Sequence, residues 1–128
     1  MTQNVQESLA ALKEWGVEGP FEYGLVLGTG LGPLADLVQN PVIVPYAQIP
    51  GFPKGQVSGH SARVVAGTIG KHKVFAMQGR AHYYEHGDAA IMRTPVETMA
   101  ALGIKNLILT NAAGSLLEDA PPGALALI

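Results

Sequence analysis

Val5, Leu9, Leu12 and Trp15 recur at intervals of three and four near the start of the chain. That spacing puts them on one stripe and predicts an amphipathic helix over residues 4–15, which Gly16 can end. Tyr23 to Leu27 is a short apolar run that predicts a strand, leading through Gly28-Thr29-Gly30-Leu31-Gly32 into a short helix through Leu37. Pro41 to Gly59 is rich in proline and glycine and reads as a long surface excursion. Two strands are predicted at Arg63–Ile69 and Lys73–Gln78, joined by the tight Gly70-Lys71-His72 turn. Gly79 to Ala90 is polar, Ile91 to Leu102 has helical character with Gly103 as its stop, and Asn106 to Thr110 reads as a buried strand running into Asn111-Ala112-Ala113-Gly114. Trp15, Tyr23, Tyr46, Met77, Met92 and Met99 read as packing residues.

Strands alternating with helices predict an α/β protein: a single domain over residues 1–128 with a mixed, mostly parallel central sheet flanked by helices. The closing run Gly123 to Ile128 also reads as a buried strand. Such a strand needs partners for its last backbone groups, so the expectation is a fold represented here only in part. Composition then removes whole classes. A hydrophobic fraction of 48% supports a core, and a charged fraction of 14% argues against disorder. A net charge of -2 offers no basic surface for nucleic acid or for an anionic membrane. Without cysteine there is neither a disulfide framework nor a thiolate metal site. Met1 to Lys13 lacks a basic head followed by an apolar run, and no apolar stretch approaches the roughly 20 residues of a membrane helix, so the expected location is cytoplasmic.

Three distinctive segments, 28–32, 79–86 and 111–114, each begin where a predicted strand ends. In open α/β sheets ligands bind in the crevice at those carboxyl ends, so the three loops define a candidate pocket. The glycines at 28, 30 and 32 allow close backbone approach, letting successive N–H groups face an anion, and Thr29 adds a hydroxyl. No Gly-Lys-Ser/Thr follows, so this is not the phosphate loop of nucleotide hydrolases, and the third glycine is one residue early for a dinucleotide fingerprint. A tight strand-to-helix turn without a ligand fits the loop equally well. In Gln78-Gly79-Arg80-Ala81-His82-Tyr83-Tyr84-Glu85-His86, Arg80 has the planar fork that suits phosphate or carboxylate. His82 can donate and can carry charge near neutral pH, Glu85 could orient it, and Tyr84 offers a flat face suited to a sugar. His82 and His86, four apart, would need a helix and a third ligand to hold a metal, and Gly87 weakens that helix. The small residues Asn111 to Ser115 would let a ligand reach backbone N–H groups. His60, just before a strand, could reach the same pocket or simply cap the strand.

Four ordered stretches, Val26 to Gly32, Gly59-His60, Met77 to Glu85 and Thr110 to Leu116, resemble the trimeric purine nucleoside phosphorylase family. The likeness runs from about Gly24 to Ile128. It implies phosphate binding by Thr29, where the family commonly has serine, by His60, Arg80, Ala81 and His82, and by the Ala112 N–H. It further implies a ribose contact at Tyr84 and support of His82 by Glu85. The implied reaction is phosphorolysis of purine nucleosides to free base and ribose 1-phosphate by a homotrimer, with phosphate as a substrate and no metal or organic cofactor. The family's purine-reading and base-activating residues fall beyond residue 128, so no catalytic group is assigned and the isolated 128-residue chain is expected to be inactive. A 5′-methylthioadenosine phosphorylase is the nearest alternative. A dinucleotide-binding domain and a non-catalytic anion-binding fragment are alternatives of other classes.

Overall fold

The computed structural model describes residues 1–54 and 62–128. Helix α1 spans Gln3–Glu14, and the Thr2 hydroxyl at its N-cap accepts from the Val5 N–H. It ends as expected before Gly16, whose φ of +86° suits glycine. Val5, Ser8 and Leu12 are buried and Leu9 partly so, whereas Trp15 at the C-cap is 44% exposed instead of packed. Ser8 takes a buried place that the apolar pattern had left to larger residues, and its hydroxyl reaches the carbonyls of Asn4 and Pro50.

Five strands form one sheet: β1 (Tyr23–Leu27), β2 (Gln39–Pro45), β3 (Arg63–Ile69), β4 (His72–Gln78) and β5 (Asn106–Leu109), in the order β2-β3-β4-β1-β5. β1 pairs in parallel with β4 and with β5, while β3 pairs antiparallel with β2 and with β4. The sheet is therefore mixed, its pairings evenly divided between the two senses. A 3-10 helix, Gly32–Leu37, follows β1, and another, Tyr46–Gln48, follows β2. A single helical turn, α2 (Tyr83–His86), is closed by Gly87 at φ +65°, and α3 (Arg93–Ala101) precedes β5.

Period-two alternation distributes the sheet's side chains between two cores. Val26, Val64, Ala66, Phe75 and Met77 join Leu12, Met99 and Leu102 on the α1–α3 side. Leu27, Val65, Val74 and Ala76 join Ala35 and Val38 on the other. β4 is buried on both faces because it lies centrally.

Two expectations are corrected. The segment after Pro41 is not simply a surface excursion. Asn40 to Pro45 belongs to an edge strand, and Tyr46, Ile49 and Phe52 beyond it are core residues. Prolines at 41 and 45 masked it, yet an edge strand tolerates proline because one side of its ladder is unpaired. The second correction concerns β5, read as buried. All four of its residues are exposed, because among the described residues β1 is its only neighbour in the sheet. Likewise Gly123 to Ile128 forms no strand, and Leu125 and Leu127 are 98% and 102% exposed. No helix among the described residues is long and apolar enough to cross a membrane.

Candidate functional site

The register of the sheet decides which loops can meet. Leu27 lies opposite Gln78 and Val26 opposite Leu109, so β1, β4 and β5 all release the chain at one edge of the sheet. Antiparallel β3 begins at that edge, with Arg63 opposite both Gln78 and Pro45. The three segments singled out from the sequence therefore leave the sheet side by side.

They also touch. A β-carbon placed on Gly28 would stand 2.5 Å from the Thr110 carbonyl oxygen, 2.6 Å from a guanidinium nitrogen of Arg80 and 3.0 Å from the Asn111 α-carbon. Gly28 is buried at the meeting point of all three loops, and only a residue without a side chain fits there. The chain then turns back on itself, with the Leu31 N–H donating to the Gly28 carbonyl at 3.0 Å. Gly30 at φ +81° takes the third position of this turn, which demands a left-handed conformation. Thr29 and Gly30 are exposed. Gly79, at φ +98°, re-aims the backbone just before Arg80.

Arg80, Ala81 and His82 are half-buried at this edge. The His82 ring stacks on Tyr84, with centroids 4.9 Å apart and an interplanar angle of 15°, and Tyr84 is 80% exposed. Glu85 meets His82 only through the backbone, its N–H donating to the His82 carbonyl at 3.1 Å. Among the described residues its carboxylate makes no ion pair or hydrogen bond, so the expected support of the imidazole is not formed. The cause is local: His82 caps the single turn α2, which directs the Glu85 amide, not its side chain, back toward residue 82. Ala112 lies in the exposed stretch after β5. His60 falls outside the described residues.

Residues that the sequence reading passed over connect these loops. Thr110 Oγ1 accepts from the Gly28 N–H and donates to the Val26 carbonyl, each at 2.9 Å. The Gln78 amide donates to the Gly32 carbonyl and accepts from Arg63 Nε, each at 2.6 Å. The Tyr46 hydroxyl donates to the Gly79 carbonyl at 2.6 Å. Gln78 carried a legible signal, a polar residue closing an otherwise apolar strand, since a buried amide must find partners. A cavity of about 170 Å³ lies at the opposite edge, where Phe21 and Lys73 flank the starts of β1 and β4, and shares no residue with these loops.

Electrostatically the three segments bring the Arg80 guanidinium and the His82 imidazole to a strand-to-helix turn whose Thr29 and Gly30 are exposed, with Arg63 committed to Gln78 at the same edge and no carboxylate in those segments before Glu85. Such a set can hold an oxyanion through charge-assisted and backbone hydrogen bonds.

Among curated proteins, purine nucleoside phosphorylase 1 of Bacillus subtilis is 42% identical over all of this chain and 47% of its own length. The chain thus spans about half the length of the curated relatives it matches. Among solved structures, the Schistosoma mansoni purine nucleoside phosphorylase in complex with adenosine superposes with a TM-score of 0.81 at 36% identity, covering 94% of this chain and 42% of that one. A purine nucleoside phosphorylase in complex with ribose 1-phosphate gives a TM-score of 0.81 at 34% identity, covering 94% and 44%. Residues 22–128 match the family model of the phosphorylase superfamily, a stretch that opens one residue before β1 and includes every loop at the convergent edge, and the chain belongs to that superfamily.

Proposed function

We propose that this chain is the phosphate-binding part of a purine nucleoside phosphorylase, which moves the ribosyl group of a purine nucleoside reversibly onto inorganic phosphate. One observation carries the reading: the Arg80 guanidinium lies against Gly28, where the glycine turn meets the Thr110–Asn111 segment. A cation beside a turn with exposed residues suits a small oxyanion, and relatives of about twice this length bear the name purine nucleoside phosphorylase.

In this reaction a phosphate oxygen bonds to the anomeric carbon as the C–N glycosidic bond breaks. The bonding pair leaves with the purine, which takes up a proton. Positive charge builds on the sugar ring in between, as in glycoside hydrolysis, so an anion held beneath the ring both stabilises that charge and stands ready to attack. Arg80, His82, the Thr29 hydroxyl and backbone, Ala81, the Ala112 N–H and His60 hold the phosphate, and Tyr84 presents its exposed ring to the ribose. Phosphate is a substrate here and the scheme calls for no metal or organic cofactor. A homotrimer and a cytoplasmic location accompany the same reading.

Titration with inorganic phosphate tests it. Arg80→Ala is expected to remove about 2–5 kcal/mol of phosphate binding, because a charge-assisted pair is lost. Phosphate affinity unchanged by that substitution would remove Arg80 from the site. A substrate panel of inosine, adenosine and 5′-methylthioadenosine on the polypeptide that carries this chain separates the purine enzyme from a methylthioadenosine enzyme, and light scattering reads the trimer.

A further inference from the structure

We propose that Thr110, Tyr46 and Gln78 are positioning residues that set the spacing between the glycine turn, the Gly79–His82 segment and the Asn111–Gly114 loop. The inference rests on the phosphate reading of that edge and deepens it.

The three residues are bonded to partners 82, 33 and 46 positions away in sequence. None of these bonds is local turn chemistry; each fixes one loop relative to another. Thr110 stands at the exit of β5, and its hydroxyl takes the N–H of the first residue of the glycine turn while giving its own proton to Val26. Its backbone N–H also donates to the Val26 carbonyl, at 3.1 Å, so the third loop is held to β1 on both counts. The consequence reaches the ligand. With the Gly28 N–H committed to Thr110 and the Leu31 N–H to Gly28, the exposed residues Thr29 and Gly30 between them are the part of the turn that can face an anion.

Tyr46 is fully buried beyond β2 and holds the carbonyl of Gly79, the residue directly before Arg80. Burial raises its pKa well above the ordinary tyrosine value, so the hydroxyl remains a donor across the physiological range. Gln78, 4% exposed, spans from the end of the glycine turn at Gly32 to Arg63 at the start of β3. Loss of any one bond leaves every proposed phosphate contact chemically intact while changing where it stands.

The test uses the 128-residue chain, with amide resonances and hydrogen exchange read before and during titration with inorganic phosphate. Thr110→Val, which keeps shape and removes the hydroxyl, is expected to speed exchange at Gly28 and to move the amide resonances of residues 28–32 and 79–82 in the absence of phosphate. It is expected to weaken phosphate about tenfold, with exchange at Phe75 and Met77 unchanged. Thr110→Ser restores both properties. Tyr46→Phe shifts residues 79–82 in the same way and supplies an independent reading if the valine variant does not fold. Resonances of residues 28–32 and 79–82 that match the parent in both Thr110→Val and Tyr46→Phe overturn the inference. So does a uniform loss of core protection that serine fails to rescue. A parent chain whose resonances ignore phosphate overturns the phosphate reading instead, while the phosphate-free spectra still decide the positioning role.

Discussion

Gly28 is where the candidate site is most constrained. Its missing side chain leaves room for an arginine, a carbonyl and a neighbouring backbone, which would stand 2.5–3.0 Å from a β-carbon placed there. Gly28→Ala cannot be relieved by moving Arg80 alone, because the Thr110 carbonyl is backbone. We expect a loss of about 1–3 kcal/mol, the usual cost of overpacking, measured by urea denaturation, together with weaker phosphate binding. A second residue-scale prediction concerns acid. Glu22 accepts from His72 Nδ1 at 2.8 Å, and that hydrogen bond holds the Glu22 carboxyl below its ordinary value of 4.5. A carboxylate depressed in the folded state adds stability above its unfolded pKa, and this is lost as pH falls through the depressed value. Glu22→Gln should therefore lower stability slightly near neutrality and flatten its decline below about pH 4.5, the two proteins converging in acid; an identical acid limb in the variant would refute the coupling. Arg80 was legible in the sequence as a candidate anion ligand because its planar fork suits phosphate or carboxylate. The failure of Glu85 to reach His82 was not, because it depends on the direction of one helical turn.

The elements divide by where the sheet places them. β4 and β5 are both apolar runs, yet Phe75 in β4 is fully buried while Ile108 and Leu109 in β5 are 46% and 69% exposed. Ile108→Lys and Leu109→Lys are accordingly expected to cost no more than about 0.5 kcal/mol in this chain. Phe75→Ala should cost about 3–5 kcal/mol, since it opens a cavity in the core. Chemical denaturation of the three variants checks the contrast, and a lysine penalty rivalling that of Phe75→Ala would mean that β5 is buried in solution. β1 and β3 were legible to the residue, and the end of the short helix at Leu37 with them, because apolar runs were bounded by glycine and turn residues. β2 was obscured by its two prolines.

Across the molecule, one register brings four strand ends and one strand start to a single edge, and the candidate anion-binding groups come from loops far apart in sequence. The chain corresponds to about half the length of its curated relatives, and none of its residues is assigned to the purine. The 128-residue chain is therefore expected to bind inorganic phosphate without releasing hypoxanthine from inosine. Chromatographic detection of hypoxanthine from the purified chain would contradict this division of the site.

The identity of the candidate ligands, the α/β alternation and the superfamily were all written in the linear sequence, because glycine turns, apolar runs and a Gly-Arg-Ala-His order are properties of neighbours along the chain. Tertiary structure alone decided that β5 is an exposed edge, that Gly28 is the point of contact for three loops, and that Thr110, Gln78 and Tyr46 join them. Strand order and register are settled by which surfaces bury each other, and residues 28, 80 and 110 become neighbours only once β1 lies between β4 and β5.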